Sequence, residues 1–93
     1  MSKSTALSLL SLINENVHYC KRPIIPGDVQ TLMVKAGDDL VAALSDEPYA
    51  QERAKTLGVF LRSVFRPGAA VNERFCEEIL IQTNALIAYL KGP

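Results

Sequence analysis

The stretch "KRPIIPGDV", residues 21–29, decides the fold, because a long helical pattern must stop inside it and another must start. Pro23 disfavours the helical conformation of Arg22 and offers no backbone N–H, so a helix arriving from the N-terminal side ends there. Pro26-Gly27 opens a new helix, and Asp28 in its first turn suits the positive end of the helix dipole. Between the two breaks, Ile24-Ile25 is expected to fold inward and close the end of a bundle in the manner of a hydrophobic staple.

Working outward from this connector, apolar residues recur at the three-and-four spacing of a buried helical face. Ala6, Leu9, Leu10, Ile13, Val17 and Cys20 predict a first helix over 4–21, with Ser2 or Ser4 as its N-cap. Val29, Leu32, Met33, Ala36, Leu40, Ala43 and Leu44 predict a second over 27–44. Ser45-Asp46-Glu47-Pro48 combines a capping residue, acidic side chains and a proline suited to a first helical turn. A third helix follows on Ala50, Ala54, Leu57, Leu61, Val64 and Phe65 and closes at Arg66-Pro67-Gly68. Val71, Phe75, Ile79, Leu86 and Leu90 line a fourth, ended by Gly92-Pro93. The segment "VFLRSVF", residues 59–65, has strand-like composition, but no alternating run is long enough for a strand. The expected fold is all-α: a four-helix up-and-down antiparallel bundle made of two helical hairpins, in a single domain over 1–93. The Arg-Pro pairs at 22–23 and 66–67 fit the chemistry of helix ends without a duplication, and the hinge at 66–68 leaves exchange of the last helix between copies open.

Ten basic residues balance ten acidic ones in the 93-residue chain. Zero net charge argues against a generic nucleic-acid binder and removes the repulsion that keeps small proteins apart. Cys20 and Cys76 are too few for the disulfide framework of a small secreted domain, so a reducing, cytoplasmic location is expected. Both should lie near one end of the bundle, where a Cα separation above about 7 Å would exclude a bond between them. Lys3 and the apolar residues that follow it resemble the start of a signal peptide, yet Ser8 and Ser11 interrupt them and Asn14-Glu15-Asn16 offers no small-residue cleavage site. No apolar run approaches the length that spans a membrane.

Chemistry is sparse. His18, Cys20 and Cys76 match no common zinc spacing and lack a fourth ligand, and His18 and Cys20, two apart on a helix, point away from each other. Asp38-Asp39 and Glu77-Glu78 read as hydrated helix faces rather than acid/base pairs. No catalytic, cofactor or metal residues are assigned, and no enzyme is expected. Two features remain. Lys21, Arg22, Arg62 and Arg66 should converge at one pole, although basic residues near helix C-termini also complement helix dipoles without a partner. Beyond the core stripes, Leu12, Tyr19, Val34, Val41, Phe60 and Ile81 form second apolar rows wider than one bundle face needs. With Arg22, Arg62 and Arg66 as charged rim, these are the expected partner-binding residues of a small regulator or adaptor that works by protein–protein binding, as a homodimer. The alternative is a nucleic-acid-binding protein using helix 3, turn and helix 4 as a helix-turn-helix, with Asn72 and Arg74 near the bases and Arg62 and Arg66 on phosphates.

Overall fold

The computed structural model describes residues 3–92. Within them the chain forms α1 (Lys3–Asn16), α2 (Gly27–Ala43), α3 (Pro48–Val64) and α4 (Glu73–Lys91), with a 3-10 turn at Val17–Lys21 and no strand. α1 packs on α2 and α4, and α3 packs on the same two helices from the other side, so the four close into a ring. The result is a four-helix bundle around one apolar core. Leu10, Ile13, Met33, Leu40, Leu44, Leu57, Leu61, Phe65, Ile79 and Leu86 are its largest fully buried apolar side chains. Burying each such side chain is worth about 1.5–3 kcal/mol relative to leaving it in water.

α2 and α3 approach closely because small residues meet at their crossing. A Cβ on Gly37 would stand 3.0 Å from Leu61 Cδ1 and 3.6 Å from the Cα of Gly58. At the end of that pair, Gln51 in the first turn of α3 donates its side-chain amide to the Val41 carbonyl at 3.0 Å. The same carbonyl accepts the Leu44 N–H at 3.3 Å, so Gln51 adds a second donor at the C-terminus of α2, where carbonyls lack regular helical partners.

The ends of the elements differ from the sequence reading in several places. α1 does not run to Lys21 as one α-helix: Asn16 donates its side-chain amide to the Leu12 carbonyl at 2.8 Å, and the following five residues tighten into the 3-10 turn. Three residues per turn stack Val17 and Cys20 on one side, and both are buried. Ser4 lies inside α1 rather than capping it, and Ser2 and Pro93 fall outside the described residues. α3 takes Glu47, not Ser45, as its N-cap residue, with Pro48 in the first turn as expected. α4 begins at Glu73 instead of near Val71, because Asn72 accepts the Phe75 N–H at 3.1 Å and sets the cap there. Val71 is left exposed in the connection, whose reversal uses Gly68 at a φ of +76°. Replacing Asn72 with Ala should cost about 1 kcal/mol, read as a lowered urea midpoint at unchanged slope.

Ile24 and Ile25 do not both fold inward. Ile25 packs against the core, whereas Ile24 is 82% exposed, since neighbouring side chains of a non-helical segment point to opposite sides. Leu32, expected in the core, also sits near the surface. Thr83, missed by the apolar pattern, is fully buried and donates its hydroxyl to the Ile79 carbonyl at 2.6 Å.

The largest departure concerns the cysteines. Cys20 and Cys76 form a disulfide with a Cα separation of 6.1 Å, and both are almost fully buried. The bond joins the 3-10 turn after α1 to the first turn of α4. The two cysteines lie at one end of the bundle, as expected, and helix packing brings them within bonding distance although they are 56 positions apart in the chain, whereas the reducing location expected from their small number would favour free thiols.

Candidate interaction surfaces

α3 borders two grooves, one against α2 and one against α4. On the α2 side, Val34, Phe65 and Pro67 give an apolar floor, and Lys35, Asp38, Arg62 and Arg66 stand around it in a depression of about 600 Å³. A second depression continues along the same seam, lined by Asp38, Val41, Lys55, Gly58 and Arg62. The absence of a side chain at Gly58 leaves room for Arg62 to lie back along α3: a Cβ there would sit 3.3 Å from Arg62 Nη1. Arg62 Nη1 reaches Asp38 Oδ1 at 3.2 Å and thereby bridges the groove. Both side chains are more than half exposed, so this pair orients the guanidinium more than it stabilises the fold. One turn along the rim, Lys35 donates to Asp39 at 2.7 Å. That hydrogen bond, and then the attraction of the same carboxylate, raises the Lys35 pKa above its ordinary value.

On the α4 side, aromatic rings meet across the seam at both ends. Tyr49 and Tyr89 lie 5.0 Å apart between centroids, and Phe60 and Phe75 lie 5.2 Å apart edge to face. The Arg53 guanidinium sits 6.0 Å from the Tyr49 ring. Tyr49 is 57% and Tyr89 46% exposed, while Phe60 and Phe75 are half-buried. Beside the phenylalanine pair, Phe60, Arg74, Phe75 and Glu78 line a depression of about 320 Å³.

The structure therefore gathers Val34, Val41, Arg62 and Arg66 on the α2–α3 side and places Phe60 on the other side of α3. Leu12 lies on the outer side of α1, in a shallow surface with Leu7 and Glu15. Tyr19 and Arg22 sit at the 3-10 turn, the guanidinium 4.7 Å above the ring. Ile81 is 58% exposed on α4. Leu12, Tyr19, Val34, Val41 and Phe60 are each half-covered by the chain's own core. Much of the apolar excess seen in the sequence is thus accounted for within the bundle. Tyr49 and Tyr89 belong to this surface as well. Their pairing belongs to opposite ends of two helices and has no local signature.

The basic pole is only partly formed. The two Arg-Pro connections do meet, since Pro23, Ile24, Arg66 and Pro67 line a common depression. Arg62, however, is paired with Asp38 and Arg22 is folded over Tyr19. Among the described residues, no group of three or more His, Cys, Asp or Glu side chains could hold a metal ion, and no helix is long and apolar enough to cross a membrane. The disulfide also removes both sulfurs from the three-ligand set considered with His18. The chain matches no family model, no curated protein and no solved structure.

Proposed function

We propose that this protein is a small non-enzymatic regulator or adaptor that acts by binding another protein, and that it does so as a homodimer. The observation that carries the reading is the α2–α3 groove, whose apolar floor of Val34, Phe65 and Pro67 is edged by Lys35, Arg62 and Arg66. Apolar contact area with arginine at the rim is the composition of binding hot spots rather than of a catalytic centre. Arg66, with no carboxylate partner among the described residues, is the free cation of that rim and favours an acidic segment on the partner.

The experiment compares the tagged wild type with Val34→Asp and Arg66→Glu in its native cell. Proteins retained by the wild type and lost from both variants, with helical content unchanged, are the expected result. A set of retained proteins indifferent to both substitutions would sink the reading. The nucleic-acid alternative has less geometry behind it: the rings touching at both ends of α3 and α4 make these helices run alongside one another, not at the steep angle of a helix-turn-helix. A salt-sensitive shift of random duplex, abolished by Arg66→Glu, would revive it.

A cytoplasmic site of action belongs to the same reading and has the Cys20–Cys76 bond against it. Such bonds persist mainly in oxidising compartments.

A further inference from the structure

We infer that the α3–α4 seam is the homodimer surface, and that a second copy of this chain docks on it antiparallel about a two-fold axis. The inference rests on the homodimer of the proposed function and names the surface that forms it.

The two ends of the seam are complementary in shape. At one end Tyr49 and Tyr89 form a tilted, half-exposed pair, their planes 47° apart. At the other, Phe60, Arg74, Phe75 and Glu78 surround a depression of about 320 Å³. A knob and a socket on one surface are satisfied together when a two-fold axis crosses between them, because each copy's knob then meets its neighbour's socket. A head-to-tail arrangement would leave a knob unused at one end and a socket at the other, and would build rings or open filaments instead of a dimer.

Charge follows the same pattern. At 1.5 Å of rise per residue, Tyr49 and Phe60 stand about 16 Å apart along α3, and Arg53 lies about 6 Å inward from Tyr49. On α4, Glu78 lies about 4.5 Å inward from Phe75. The two-fold that exchanges the ends therefore brings Arg53 of one copy level with Glu78 of the other, and the pairing occurs twice. Among the described residues Arg53 is held against the Tyr49 ring, while Glu78 accepts from Gln82 at 3.1 Å with one carboxylate oxygen and keeps the other for a partner. The tyrosine hydroxyls entering the socket would meet Arg74 and Glu78, a donor and an acceptor suited to a phenol. The α2–α3 groove lies on the other side of α3, so dimerisation on this seam leaves it open to a different protein.

The test is sedimentation equilibrium over a wide concentration range on the wild type, Tyr89→Ala, Arg53→Glu, Glu78→Arg and the Arg53→Glu/Glu78→Arg double variant, each checked for unchanged helical content and melting temperature. Each single substitution is expected to raise the dimer dissociation constant about tenfold or more, and the double variant to recover most of that loss. A dimer indifferent to these changes but dissociated by Leu12→Asp or Val41→Asp would overturn the seam while leaving the homodimer standing. A wild type monomeric at every concentration would overturn both.

Discussion

Reducing the Cys20–Cys76 bond should lower the stability of the protein by about 4 kcal/mol, the loop-closure entropy expected for a cross-link of this span. A domain of this size has only about 5–15 kcal/mol in total, so the melting temperature should fall by roughly 15–30 °C. The size of the effect comes from the unfolded chain, which the bond deprives of many extended conformations. The bond also has a specific structural task. It holds the 3-10 turn, into which α1 passes directly at Asn16, against the first turn of α4. Thermal melts of the wild type with and without dithiothreitol isolate the cross-link, because both sulfurs stay in place. The Cys20→Ala/Cys76→Ala variant should match or fall below the reduced form, having also lost buried volume. Equal melting temperatures with and without reductant would show that the bond contributes nothing. Trapping free thiols with an alkylating agent in the native cell, followed by a non-reducing gel, would show whether the protein works in an oxidising or a reducing compartment.

Phe65→Ala is expected to cost about 3–5 kcal/mol, the range for removing a large buried aromatic side chain. Phe65 is among the largest fully buried side chains and sits at the C-cap of α3, where its N–H donates to the Leu61 carbonyl at 2.8 Å. Its ring closes the core at the end of the bundle and at the same time floors the α2–α3 groove, so its loss should weaken both fold and partner binding. Phe60, five residues earlier on the same helix, is half-buried against Phe75 and should lose clearly less on truncation to Ala. Urea titrations of both variants decide the matter. A larger loss at Phe60 than at Phe65 would mean that α3 presents a different face to the core.

The α3 stripe shows how far a single sequence can be read. Ala50, Ala54, Leu57, Leu61, Val64 and Phe65 are all buried as their spacing implies, and the strand-like composition of residues 59–65 did not prevail against helical periodicity. Errors clustered where local chemistry competes with the pattern: the Asn16 side chain bonding its own helix, the Asn72 cap, and Ile24 turned out between two prolines. Among the candidate surface residues, a helical projection separated a second apolar row from the first. It could not tell which members a neighbouring helix covers. Val34 and Val41 are half-covered beside α3, while Ile81, of the same apparent rank, stands in solvent.

By itself, then, the sequence determined what is local: four helical segments, the prolines and glycines that separate them, and the face of each that must be buried. Those features follow from backbone geometry and from hydrogen bonds between residues four apart, which a short window contains in full. Tertiary structure alone decided the Cys20–Cys76 bond, the Gly37–Gly58 approach that opens a groove under Arg62, and the Tyr49–Tyr89 and Phe60–Phe75 pairs along the α3–α4 seam. Each joins residues on different elements, and their meeting depends on how the helices rotate and slide when their side chains interlock, a condition set by the whole core at once.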